Sequence, residues 1–354
     1  MDFDNDGTQD IISGSYDPGD LYLFKGMGNG EYAKIEKILD ENDIPLVHHP
    51  DEMAKYQAYK KEKKAGKKDS SEFVRDSEAA TQWRVSSFGS WPATVDWDAD
   101  GDLDMLIGTF SGQMFLRMNN GTRSEPKFAG EAIQVNAAEK PLKETGHAAP
   151  VVADWDGDGL WDLVVGSSDG SVGWYRNVGS EGAPDFIARQ ILVQRKATGK
   201  FLFQYVSDME QTTPGVRAQI CVTDYDLDGR LDLIVGDYKN VILTKKLSGE
   251  DQVKFDKLIT KQQAFMDEIT MMRQEFGEKY QEMNEDERKQ SEEEIDAFGK
   301  QFDSKAFVAA RKEFCVDSAD DNQGEIVSNV WLYLRKDIDQ KGEVVSLRSG
   351  NASE

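Results

Sequence analysis

The chain has 354 residues, 66 of them acidic and 42 basic, for a formal net charge of -24. That balance argues against nucleic acid as a partner, since phosphate binding needs a basic face, and no run reaches the ~18 to 20 apolar residues of a membrane-spanning helix. An apolar share of 38% supports a sizeable core, while two cysteines, Cys221 and Cys315, supply no disulfide framework.

The chain opens on Asp2-Phe3-Asp4-Asn5-Asp6-Gly7. No basic segment and apolar stretch of an export signal come before it, so the start reads as internal to a longer polypeptide. This opening is the first of four copies of Asp-x-Asp-x-Asp-Gly-x-x-Asp, at Asp2, Asp96, Asp154 and Asp224. Each has an aromatic in second place (Phe3, Trp97, Trp155, Tyr225) and runs into a short apolar stretch closed by glycine. Such runs, rich in β-branched residues, predict buried strands.

Residues 1–45 are the first repeat, predicted to lack its first strand. Residues 46–80 are a charged helical and loop insertion holding His48-His49 and the basic run from Lys60 to Lys68. No third metal ligand accompanies the histidines, so a solvated loop is the reading there. The second repeat covers 81–140: Ala93-Thr94-Val95 before the acidic loop, Met105-Leu106-Ile107 after it, then Met114-Phe115-Leu116. The third covers 141–210, with Val151-Val152-Ala153, Leu163-Val164-Val165 and Val172-Gly173-Trp174-Tyr175. Matching tails, Asn119 to Phe128 and Asn177 to Phe186, follow these two.

Residues 211–249 and 319–340 form the fourth repeat. Its first strand holds Cys221, predicted reduced and buried, and Val330 to Lys336 resumes the third-strand pattern. Within it, residues 250–318 carry apolar positions at three- and four-residue steps, from Phe255 to Tyr280 and from Ile295 to Phe314. They predict two amphipathic helices in an antiparallel hairpin, broken near Asn284-Glu285-Asp286. Residues 341–354 are a C-terminal tail. The expected fold is thus all-β, with about four units of three to four antiparallel strands and an inserted helical hairpin. Small sheets repeated along a chain pack radially into a β-propeller, here an incomplete or small one, because one sheet cannot bury both its faces alone.

Four carboxylates within nine residues repel one another unless a cation neutralises them. Hard oxygen ligands around a glycine turn suit calcium. The ligand sets are Asp2, Asp4, Asp6 and Asp10; Asp96, Asp98, Asp100 and Asp104, with the carbonyl of Asp102; Asp154, Asp156, Asp158 and Asp162; and Asp224, Asp226, Asp228 and Asp232. They would hold up to four Ca2+ ions, one per loop. An EF-hand needs glutamate at position 12 between helices, whereas Ser13, Ile107, Val165 and Val235 stand there between strands. Magnesium and a metal-free Asx-rich turn are the competing readings.

The loops resemble the calcium-binding repeats of the FG-GAP/VCBS family, found in integrin alpha-subunit propellers and many secreted bacterial proteins. Phe88-Gly89-Ser90-Trp91-Pro92 and Ala148-Ala149-Pro150, each just before a loop, are similar to that family's Phe-Gly and Gly-Ala-Pro signature. The resemblance implies a β-propeller with the loop aspartates as calcium ligands. It also implies an extracellular, cell-surface or periplasmic setting. No nucleophile elbow, P-loop or dinucleotide fingerprint occurs, and there are three histidines. The expectation is a non-enzymatic scaffold for a protein or glycan ligand at the propeller rim, with the helical hairpin as the partner-specific element. The alternative is a carbohydrate-active enzyme, or an accessory domain of a larger secreted one.

Overall fold

A computed structural model describes residues 1–16, 19–47, 89–194, 203–208, 214–279, 283–316, 325–335 and 350–351. His48-His49, the Lys60 to Lys68 run and Phe88 lie outside the described residues. The chain is mostly β, in several antiparallel sheets with few helices. It divides into two units, one of Met1–Arg195, Val216–Asp237 and Asn329–Glu354, the other of Lys196–Gly215 and Tyr238–Ser328.

In the first unit, β1 (Ile11–Gly14), β2 (Leu21–Phe24) and β3 (Glu36–Lys37) make a three-stranded sheet. A four-stranded sheet follows, of β4 (Ser90–Val95), β5 (Asp104–Thr109), β6 (Met114–Arg117) and β7 (Ile133–Gln134) in chain order. The hairpin of β8 (Asn136–Ala137) and β9 (Lys140–Pro141) leads to a third sheet. That sheet orders β10 (Ala149–Ala153), β11 (Asp162–Gly166), β12 (Val172–Tyr175) and β13 (Gln190–Val193). β14 (Phe203–Val206), in the stretch expected to end the third repeat, pairs in parallel with the far end of β16 (Asp232–Leu243). β14 and the Asn240–Leu243 stretch that it pairs with belong to the second unit; the other strands of the last sheet are β15 (Val216–Thr223), β17 (Glu325–Tyr333) and β18 (Gly350–Asn351). β18 gives the end of the C-terminal tail a strand, antiparallel to β17.

The central strands are continuously apolar because both of their faces are buried. On β5, Met105 and Ile107 enter a core with Leu21, Leu23 and Phe128, while Leu106 points the other way, into a core with Leu163, Val165 and Phe186. β11 repeats this, with Val164 facing Leu233, Val235 and Trp331. Consecutive sheets thus stack face to face through three shared cores. The glycine at or next to the end of β1, β5 and β11 lets the next sheet approach. A Cβ on Gly14, Gly108 or Gly166 would lie 1.8, 2.0 or 2.2 Å from the carbonyl oxygen of Ser90, Ala148 or Ala218.

His147 is buried between these sheets, its ring 4.3 Å from that of Phe110 and 5.2 Å from that of Trp91, with neither nitrogen hydrogen-bonded. Burial, with the Arg217 charge, brings its pKa down to about 4. Between that value and its ordinary 6.5 the folded state binds fewer protons than the unfolded chain. Acidification through this window therefore removes stability, about 3 kcal/mol in all. Urea unfolding at pH 7 and pH 4.5 should show a smaller acid loss for His147→Phe than for the parent chain; equal losses would contradict this.

The second unit holds α1 (Gly249–Lys279), α2 (Glu285–Gly299) and α3 (Ser304–Lys312). Asn284 starts α2 through a capping box with Glu287. The expected pair of helices is corrected to three, because the Asp303 carboxylate accepts from the Ala306 N–H and caps a new helix within the second apolar stripe. Phe265 stacks on Phe298 and Phe302 at 4.8 and 5.0 Å, and Phe302 meets Phe307 at 5.6 Å. Cys315 is half-buried, and Cys221, expected to be buried, is exposed on β15; both are free thiols. No helix among the described residues is long and apolar enough to cross a membrane.

Candidate metal centres

Each acidic stretch forms the turn between two strands or, for Asp2, the approach to β1, and the four share one hydrogen-bond scheme. The N–H of the sixth residue donates to the first aspartate: Gly7 to Asp2, Gly101 to Asp96, Gly159 to Asp154 and Gly229 to Asp224, at 2.9 to 3.1 Å. The seventh N–H donates to the fifth aspartate, as in Asp102 to Asp100 and Leu160 to Asp158, both 3.0 Å. The wrap needs left-handed backbone at the fourth and sixth places. At the sixth, glycine holds φ values of 89, 95, 91 and 87° with open space around it, so the dihedral alone calls for glycine there.

Within this turn, ligand-capable oxygens converge to within 4.8 Å of one another. The sets are Asp2, Asp4 and Asp6; Asp96, Asp98 and Asp100; Asp154, Asp156 and Asp162; and Asp224, Asp226 and Asp232. Asp4 Oδ1, Asp96 Oδ1, Asp102 Oδ1 and Asp156 Oδ1 are buried without a hydrogen-bond partner. Asp4, Asp96 and Asp156 belong to the converging sets, and orphaned carboxylate oxygens there fit a hard cation, which would satisfy their lone pairs.

The ninth aspartates have a second task that the spacing does not reveal. Each accepts two backbone N–H bonds, one from its own loop and one from beyond the third strand. Asp10 takes those of Phe3 and Gly26, Asp104 those of Trp97 and Asn119, Asp162 those of Trp155 and Asn177, and Asp232 those of Tyr225 and Arg335, at 2.7 to 3.1 Å. These buried carboxylates latch the loop to the sheet. In the matching tails, Asn119 and Asn177 then close a turn of their own, each through Oδ1 to two further N–H groups.

Burial first, and crowded negative charge second, show in the proton affinities. Burial, with the neighbouring Asp100, Asp98 and Asp96, pushes Asp102 up to about 6, and burial pushes Asp104 up to about 6. Asp228, by contrast, lies below the usual carboxylate range through its bond to Arg230, and Asp6 does so through Thr8.

Sequence reasoning missed the basic arms in the loops. Lys25 Nζ sits 2.8 Å from Asp4, Arg176 lies 2.5 Å from Asp156 and 2.9 Å from Asp158, and Arg230 pairs with Asp228. Lys25 and Arg176 occupy the same place in their repeats, directly after the third strand, and that shared position was the available signal. Beside the Asp96 loop, a cavity of about 430 Å3 is lined by Trp97, Pro184 and Phe186 with Gln134, Glu139 and Asp185.

Stacked small sheets, each entered through the same acidic turn, define a repeat protein whose candidate sites are oxygen-only cation loops. Residues 96–165 match the family model described as FG-GAP-like repeat. The chain therefore carries an FG-GAP-like repeat, spanning the Asp96 loop, the strands after it and the Asp154 loop. No curated protein and no solved structure matches the chain.

Proposed function

We propose that this chain is a calcium-binding β-propeller repeat module, incomplete or small, that acts as a non-catalytic extracellular, cell-surface or periplasmic scaffold for a protein or glycan ligand. The observation that carries this reading is the fourfold recurrence of one loop whose carboxylate oxygens converge to within 4.8 Å. Three face-to-face cores between consecutive sheets support the propeller arrangement. Bound calcium would neutralise the loop charge and hold each turn against its sheet. Sites of this class can be weak outside cells, where calcium is plentiful.

The melting temperature should rise on the order of 10 °C in excess calcium over excess chelator, since each saturated site adds about 2 to 3 kcal/mol. Magnesium should do much less, and calorimetry should count up to four sites. No shift and no binding heat would refute the calcium reading.

A second reading, a carbohydrate-active enzyme or an accessory domain of one, is favoured by the cavity walled by Trp97 and Phe186 with polar Gln134, Glu139 and Asp185. Aromatic faces beside amide and carboxylate groups suit a sugar ring. Release of reducing ends from polysaccharides would establish catalysis; glycan binding without release would support the scaffold.

A further inference from the structure

Resting on the calcium reading above, we infer that the four loops form a graded series, set by basic side chains that serve as built-in counter-cations, and that the Asp96 loop takes a divalent cation first. The same place in each repeat, the residue before the one whose N–H reaches the ninth aspartate, is Lys25, Met118, Arg176 or Leu334. Two of the four are cations that fold back into their own loop.

In the Asp154 loop, Arg176 bridges the third and fifth aspartates, Asp156 and Asp158. In the Asp2 loop, Lys25 holds the third, Asp4. The Asp224 loop carries its cation internally, Arg230 on the fifth aspartate, Asp228. Among the described residues, none of Asp96, Asp98, Asp100 and Asp102 makes an ion pair. In the two loops whose fifth aspartate is held by an arginine, the converging oxygens come from places one, three and nine. In the other two they come from places one, three and five. The arginines thus draw the fifth carboxylate out of the set that would meet a cation.

A divalent ion entering the Asp154 loop must displace a guanidinium from two carboxylates and then stand close to its charge. The Asp96 loop, with Met118 there, asks for neither. The ion pair that is lost and the residual repulsion from the displaced cation both count against the entering ion. The two together correspond to a roughly tenfold difference in affinity.

The test follows the four glycine amides bonded to the first aspartates, Gly7, Gly101, Gly159 and Gly229, by nitrogen–proton correlation spectra of chelator-stripped protein titrated with calcium chloride. Gly101 should shift at the lowest calcium and Gly159 at roughly tenfold more. Arg176→Met, at a half-buried side chain, should bring the Gly159 midpoint down toward that of Gly101. Met118→Arg should move the Gly101 midpoint up by a similar factor. One shared midpoint for all four glycines, unchanged by Arg176→Met, would overturn the grading while leaving calcium binding in place. No shift at any glycine up to about 10 mM calcium would overturn both this inference and the calcium reading.

Discussion

Gly166→Ala should destabilise the protein by about 3 kcal/mol or more, whereas Gly236→Ala, at the equivalent place on the last sheet, should be neutral or slightly stabilising. Neither glycine has a positive φ, so alanine meets no dihedral penalty at either. The difference is space. A Cβ on Gly166 would stand 2.2 Å from the carbonyl oxygen of Ala218, 2.9 Å from its carbon and 3.3 Å from its Cβ. Two of those three atoms are backbone within a paired strand, so no side-chain rotation relieves the overlap. β11 and β15 must separate, opening the core that holds Val164, Ala218 and Val235. At Gly236 the nearest atom, Gln219 O, is 3.7 Å away, ordinary van der Waals contact. Denaturant unfolding of the two variants side by side gives the comparison; a cost for Gly166→Ala below about 1 kcal/mol would mean that the sheets are not held at this distance.

The same glycines show how far sequence reading reached. Glycine after each apolar run is visible in four copies; it stands at or next to the end of β1, β5 and β11, but inside β16, which runs on to Leu243. That it serves the approach of the following sheet is not visible, because Ala218 is far along the chain from Gly166 and no local pattern couples them. The acidic loops were legible because all their parts lie within nine residues, where carboxylate spacing and a turn glycine speak for themselves. The latch role of the ninth aspartates was not, since it depends on N–H groups 15 or 16 residues away, and 103 away for Asp232 and Arg335. Apolar spacing located the helical segment but not the break at Asp303, where one capping carboxylate decides between a continued stripe and a third helix. Pairing of β14 with β16 is likewise long-range, and strand sequence alone carries no choice of partner.

Arg117→Met should cost about 3 to 5 kcal/mol, enough to threaten the fold of a protein of ordinary stability. Arg117 is fully buried at the end of β6, and its charge meets Asp40, also buried, at 3.2 Å. Its remaining donors reach the carbonyl oxygens of Ala129, at 2.7 and 3.0 Å, and of Val47. Burial lowers the arginine's pKa, with Asp40 opposing the shift. Asp40 is itself committed on its other oxygen to the N–H groups of Asn42 and Ile44, 2.9 and 3.1 Å away. One guanidinium therefore ties the 40–47 segment to the second sheet. Methionine keeps much of the volume and removes the charge, leaving a carboxylate and two carbonyl groups without their donors. The loss is mainly the penalty of an uncompensated buried charge, so adding Asp40→Asn to Arg117→Met should return part of it. The amide oxygen can still accept from Asn42 and Ile44 while the charge is gone. Urea unfolding of the two single variants and the double variant completes the cycle. If the double variant is no more stable than Arg117→Met alone, the cost comes from lost packing and the tie is not electrostatic.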